Sequence, residues 1–286
     1  VSHPLADPVA LALSHVRSRS LGEPLDRGLR VTLNFHPDRL VGDVPILRAM
    51  ARDGSYRSQF ETRTSNGGLT AHPGGARWRW ESRIFGGAYD ATEPALRPKY
   101  GALNRLRAPQ GAAPRFGSAH LRLAGHTLAR TTFCFPDSVF EPEHFAVAER
   151  YALTELADRH PALFPGAEEH DPLDDYVEAQ VHGVLDLADD VEAIVLDPCY
   201  RDGPVDRDAE ALGVPVEWHA GYVLDVETLS AHPPYRGAEF VALGRRLSRD
   251  GVLTPCIIGD ARRSGEHDEQ ALKRVWHYVA RFGYRG

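Results

Sequence analysis

The run "YVEAQVHG", Tyr176 to Gly183, places a single carboxylate among residues that could share its work. Read as an extended segment, it puts Tyr176, Glu178, Gln180 and His182 on one face and Val177, Ala179 and Val181 on the other. The apolar row fits a core. The polar row, an acid beside a phenol, an amide and an imidazole, is either a water-facing edge or the floor of a polar cleft with Glu178 as its acid group.

Two other segments carry compact polar groups at their ends. "NFHPDR" offers His36 and Arg39, and "TRTSNGG" offers Thr64, Ser65 and Asn66. Arg39 has the planar, two-pronged donor that suits phosphate, while His36 lies where the polar face of its strand points. Thr64, Ser65 and Asn66 add hydroxyl and amide groups for hydrogen bonding. Both segments also read as plain loops, "HPDR" as a turn and "TSNGG" as Asn-Gly turn chemistry. "PRFGSAH" supplies Arg115 as a second phosphate candidate.

The commoner signatures are missing: no P-loop, no dinucleotide glycine fingerprint after a strand, no nucleophile elbow and no H-E-x-x-H. The chain's 14 histidines do not pair with acids at ligand spacing on one helical face, so no metal site is expected. A net charge of -7 argues against a duplex-DNA surface. The run "RWRWESR", with Arg77, Arg79 and Arg83 around Trp78 and Trp80, suits an amphipathic strand with a solvated basic face, or a stacking surface for bases. Cys134, Cys199 and Cys256 are odd in number and far apart in sequence, which speaks against a disulfide framework. No apolar run reaches a membrane span, and no basic region precedes the first apolar stretch. A cytoplasmic place is expected, or delivery by a route not visible in the sequence.

The elements that must position these groups follow from periodicity. A 286-residue chain with 42% hydrophobic and 26% charged residues fits one elaborated domain, 1–286, with an N-terminal helical segment over about 1–28. Asp7-Pro8 caps a helix carrying Val9, Ala12, Leu13 and Val16. "RVTLNFH" alternates as a strand, 44–51 forms a short helix, and "RSQFETRTSNGG" reads as extended. Residues 69–117 read as long loops with short strands. "AHLRLAG" and "ARTTFCF" are strands, and residues 141–160 a helix with Pro142 in its first turn. After the acidic loop "PGAEEHDPLDD" come the strands "YVEAQVHG" and "VEAIVLD". A helix near 207–212, a strand at "VPVEWH" and a last helix over 268–282 complete an α+β chain without strict alternation.

The runs "FHPDR", "SQFETRTSNGG", "RPKYGALN" and "YVEAQVHG" resemble those of an uncharacterised family of bacterial proteins, a domain of unknown function, over roughly residues 30–285. More distantly, the order His/Arg, Thr-Ser, Glu resembles the ADP-ribosyltransferase superfamily. There the catalytic Glu often begins a run of three small or apolar residues, Pro and Gly; Glu178 begins "EAQVHG", with Gly183 at the corresponding place. This resemblance implies a core of two small packed sheets with flanking helices and NAD as co-substrate. Glu178 would then be catalytic, His36 or Arg39 with Thr64, Ser65 and Asn66 would hold NAD, and Tyr100 would stack on nicotinamide with Asn104 bonding its amide. Tyr176 and Gln180 would serve the substrate or support the site. Tyr176 stands where members modifying arginine or bases carry Glu or Gln, which leaves the target open. The loop "AEEHDPLDDY" lies where that superfamily recognises its substrates, and its acidity suits a basic one.

The implied reaction transfers ADP-ribose to an unidentified protein, nucleic acid or small molecule. With water as acceptor the same site is an NAD glycohydrolase. Two further readings stand beside it: a metal-dependent hydrolase using some of His36, Asp38, His182 and His219, and a peptide- or nucleic-acid-binding module built on "RWRWESR".

Overall fold

The structure, a computed structural model, describes residues 7–63, 69–160 and 171–286. Asp7 accepts the Val9 N–H at 3.0 Å and opens helix α1 (Pro8–Arg17), as the cap and proline predict. Strand β1 (Val31–Phe35) follows, then the small hairpin of β2 (Leu40–Val41) and β3 (Val44–Pro45), and helix α2 (Ile46–Asp53). Of the segment expected to be extended over 57–68, residues 64–68 lie outside the described residues, and the described part forms a helical turn, α3 (Gln59–Thr62). Ser58 and Glu61 close a capping box there, a local signal that outweighs the polar composition.

"RWRWESR" is not a strand with a solvated basic face. It forms helix α4 (Ala76–Ile84), which buries Arg77, Trp80, Glu81 and Ile84 at helical spacing. Alternating Arg and Trp mimics a period of two, but burial chooses the i, i+3, i+4, i+7 stripe. Strands β4 (Lys99–Leu103), β5 (Ala119–Leu123) and β6 (Thr131–Phe135) come next. The helix expected over 141–160 divides into strand β7 (His144–Val147) and helix α5 (Leu153–Arg159). Phe145 and Leu156, which share a stripe on a helical wheel, pack into different apolar clusters.

The remaining elements are β8 (Glu178–Val181), α6 (Leu187–Asp190), β9 (Val191–Leu196), α7 (Pro204–Glu210) and β10 (Val216–Trp218). A helical C-terminal part holds β11 (Leu224–Asp225), α8 (Val226–Ala231), α9 (Ala238–Leu247), β12 (Val252–Leu253), α10 (Pro255–Ser264) and α11 (Glu269–Phe282). The last helix expected over 268–282 is α11, which Asp268 caps by accepting the Ala271 N–H.

The fold is α+β, but the expected pair of small packed sheets is one eight-stranded sheet, ordered β10-β9-β5-β1-β4-β8-β6-β7. Its strands pair antiparallel except β9 with β10. One face buries Leu33, Leu121, Phe133, Val177, Ala179 and Val181 against α2, α5 and α7. The other carries the α1–α4 cluster around Trp80 and Phe85 at the β6–β7 end. On that same face the C-terminal helices approach β1, where Trp276 meets the His36 ring edge-on at 5.0 Å. Cys199 and Cys256, distant in sequence, touch: the Cys256 N–H donates to the Cys199 Sγ at 3.2 Å, and both thiols are free. Among the described residues no helix is long and apolar enough to cross a membrane.

At mid-sheet the ladder is thin. β1 and β4 pair only at Val31 with Leu103 and Thr32 with Ala102, and beyond these two pairs the strands part. Gly101 sits at the fork, where an added Cβ would lie 2.3 Å from the Leu33 Cδ2 and 2.6 Å from the Thr32 carbonyl oxygen. Gly101→Ala is expected to lower unfolding free energy by ~1–3 kcal/mol through overpacking. Urea denaturation checks this, and an unchanged midpoint would mean that β1 yields freely at the fork.

Candidate functional site

The parting of β1 and β4 opens a cleft on the face opposite the main core. A cavity of about 130 Å³ is lined by Asn34, Tyr100, Tyr176 and Glu178 from the sheet, Arg77 from α4, Lys273 from α11, and Asp137 and Ser138. It adjoins a pocket of about 230 Å³ holding His36 and Arg39, with Tyr56, Gln59 and Tyr100 as shared walls. A third pocket, about 410 Å³, shares Arg39 with the second and Lys273 with the first. Glu178, Tyr176 and Tyr100, chosen from separate runs of sequence, therefore line one cavity, and His36 and Arg39 line the pocket beside it, with Tyr100 in the wall of both. Thr64, Ser65 and Asn66 lie outside the described residues; Thr62, just before them, lines the pocket of His36.

Glu178 is not on a water-facing edge. β8 is interior, between β4 and β6, and Glu178 is 6% exposed. A carboxylate so enclosed needs donors, and the polar face of β8 supplies them in sequence. The Tyr89 hydroxyl lies 2.7 Å from the His182 Nδ1, the His182 Nε2 2.9 Å from the Thr132 Oγ1, and Thr132 donates to the Gln180 Oε1 at 2.8 Å. Gln180 then donates its Nε2–H to the Glu178 Oε1 at 3.0 Å. With Thr132 donating to Gln180, His182 is the neutral Nε2–H tautomer, in keeping with burial driving its pKa down to about 3.

The second carboxylate oxygen is held from another side. Ser138 donates both its N–H, at 3.2 Å, and its hydroxyl, at 2.8 Å, to the Glu178 Oε2, while Arg77 donates to that hydroxyl oxygen at 2.8 Å. Burial raises the Glu178 carboxyl above its ordinary value of 4.5; Arg77 pulls it back and nearby Asp137 adds to the rise. Tyr176 donates its hydroxyl to Asp137, and burial first, then that carboxylate, holds the phenol well above 10.0. Glu178 is thus fixed in orientation while its edge remains part of the cavity wall.

Arg77, Glu81, Asp137 and Ser138 are site residues that sequence reasoning passed over. "RWRWESR" divides between two faces: Arg79 and Arg83 are exposed, while the Arg77 guanidinium covers the Tyr100 ring at 4.0 Å and Glu81 is fully buried. Glu81 accepts from Arg97 at 2.6 Å and from the Tyr100 hydroxyl at 2.7 Å. Its carboxyl is raised by burial, with Arg97 opposing that rise. Tyr100 is therefore a wall and strut of the cavity, one ring face taken by Arg77. Asn104, expected near a ligand, instead closes its own loop through the Ala108 N–H and carbonyl. Arg115 lines the cavity but is ion-paired with Asp174. The signal that could have found Ser138 is the "PDS" run directly after β6, where Asp137 caps a short turn by accepting the Val139 N–H.

The hydrolase set does not assemble. His182 is spent on Tyr89 and Thr132, and the His219 Nε2 lies 2.7 Å from the Ser118 carbonyl oxygen. Among the described residues no three His, Cys, Asp or Glu come together in a way that could hold a metal ion.

A family model matches the chain over residues 30–157 and 153–282, which between them contain every residue of this cleft. The chain belongs to that family, described as Protein of unknown function (DUF3626). No curated protein matches it. The runs "RPKYGALN" and "RWRWESR" in this DUF3626 chain meet in the Arg97–Glu81–Tyr100 contact. Removing Arg97 would leave a buried carboxylate without its cation. Arg97→Met is expected to cost ~3–5 kcal/mol of unfolding free energy, and a loss under about 1 kcal/mol, the size of an exposed pair, would show that Glu81 is buried as the neutral acid.

Proposed function

We propose that the chain is an NAD-dependent mono-ADP-ribosyltransferase, with Glu178 stabilising the positive charge that develops on the ribose as nicotinamide leaves. The observation that supports this is the placing of Glu178 in a cavity that adjoins the pocket of His36 and Arg39, with Glu178 oriented by Gln180 and Ser138. On this reading the parted strands β1 and β4 of the single sheet would do the work that a cleft between two packed sheets does in that superfamily.

The residues present fit such a substrate. The cavity at Glu178, about 130 Å³, is close to the ~150 Å³ that admits a benzene ring, and two further pockets adjoin it. Phe140, 55% exposed among the lining residues, offers an unburied aromatic ring. Arg39 would hold phosphate oxygens, and His36, Thr64, Ser65 and Asn66 the ribose and amide groups.

Cleavage of the nicotinamide–ribose bond passes through an oxocarbenium-like centre, as glycoside hydrolysis does. The leaving group is already cationic and departs neutral without an acid, so one carboxylate suffices. Gln180 and Ser138 fix that carboxylate before the reaction, which spares reorganisation as charge develops. The acceptor is an unidentified protein, nucleic acid or small molecule.

Nicotinamide release from NAD by the purified chain, with and without cell lysate, tests the reading. Glu178→Gln is expected to slow release roughly 10²–10³-fold with folding intact. Release that needs no lysate identifies water as acceptor and makes the activity a glycohydrolase; an unaffected variant, or no release in either condition, removes the proposal.

The pH profile has a definite sign. Burial favours the neutral acid, so the Glu178 ionisation lies above 4.5, and the active carboxylate exists only above that shifted value. Release is expected to rise with pH through an ionisation above 4.5 and then level off. Glu178→Gln should lack that limb.

A further inference from the structure

The third pocket has a chemistry of its own. It lies where α10 and α11 meet the residues after β1, and Asp38, Arg39, Arg262, Arg263, Glu269 and Lys273 line it. Four cations from three parts of the chain thus face two carboxylates.

The ion pairs do not use up the donors. Arg262 places its Nε–H on Glu269 at 3.1 Å, yet its Nη1 is 3.9 Å from the nearer Asp38 oxygen, beyond hydrogen-bond reach. Both terminal nitrogens of Arg262 are buried without a hydrogen-bond partner, on a side chain that is 9% exposed. Arg263 stands 3.7 Å from the other Asp38 oxygen, and Arg39 3.7 Å from Glu269. Neither Asp38 nor Glu269 gives the two terminal nitrogens of Arg262 a hydrogen bond. Buried donors left in this state call for an acceptor, and a guanidinium with two parallel N–H groups presents a fork that matches tetrahedral phosphate oxygens.

We infer that this pocket is a phosphate-binding subsite, with Arg262, Arg39 and Lys273 gripping a phosphate or pyrophosphate group of a ligand whose other end reaches the Glu178 cavity. Lys273 lines both the pocket and the Glu178 cavity, so the two are neighbours. Burial first, then the neighbouring cations Arg115, Arg274 and Arg39, lower the Lys273 pKa. The proposal rests on the NAD reading only for the molecule that carries the phosphate; the subsite itself requires just the anion. It would place phosphate recognition in the C-terminal helices, away from the sheet that holds the carboxylate.

The test is calorimetric binding of inorganic pyrophosphate to the full chain at low salt, where screening is weakest. The unaltered protein is expected to bind, with affinity falling roughly ten- to hundredfold in Arg262→Gln, the loss expected for a hydrogen bond to a charged group. Lys273→Gln, on the first turns of α11, provides a second variant should Arg262→Gln fail to fold. Arg159→Gln removes an equal charge from an exposed ion pair with Glu155 and is expected to change little. No binding by the unaltered protein, or equal binding by all variants, overturns the subsite. Nicotinamide release is followed in parallel. Arg262-dependent pyrophosphate binding without any release keeps the subsite and removes the NAD reading; release with pyrophosphate binding and KM unchanged in both subsite variants does the reverse.

Discussion

A carboxylate on an interior strand of a sheet is the constraint around which this protein is arranged. Glu178 has β4 on one side and β6 on the other, and little of it reaches solvent. In such a place an unsupported charge takes up a proton instead. The fold answers with donors from two directions: a chain of hydrogen bonds along β8 and β6 ending at Gln180, and Ser138 from the turn after β6. Each donor is held in turn, Gln180 by Thr132 and Ser138 by Arg77. Helix α4 owes its orientation to this need as much as to its apolar contacts, because the same turn that buries Trp80 delivers Arg77 to the site.

A second buried charge makes the first possible. Glu81, one turn beyond Arg77 on α4, is neutralised by Arg97 and receives the Tyr100 hydroxyl. These contacts pin α4 to the start of β4, so Tyr100 lies beneath Arg77. Lys99, on the alternate face of β4, spends its ammonium on the carbonyls of Ala95, Arg97 and Gly183, joining the end of β8 to the same corner. "RPKYGALN" is therefore the mechanical frame of the cleft, a role that a search for ligand-touching residues misreads.

How much could be read in the sequence differs by element. The face of β8 was legible because strict alternation leaves one assignment for Val177, Ala179 and Val181, and the cap at Asp7 marked its helix directly. Arg77 and Glu81 were hidden because Arg and Trp alternate in the period of a strand while the residues that matter follow a helical one. The span 141–160 failed for the opposite reason: Phe145, Ala148, Ala152 and Leu156 keep helical spacing, yet β6 captures 144–147 as an edge strand. The closeness of Asp137 and Ser138 to Glu178, and of Arg262 to Arg39, depends on contacts distant in sequence, which no local pattern encodes.

The two-pair join between β1 and β4 also governs how the sheet can deform. It divides eight strands into two quartets, β10-β9-β5-β1 and β4-β8-β6-β7, with His36 and Arg39 following the first and Glu178 riding on the second. The other ladders inside the quartets are longer, so compliance concentrates at the fork beside Gly101. The carboxylate and the cations thus belong to different halves of the sheet, and the geometry of its shortest ladder sets the span between them.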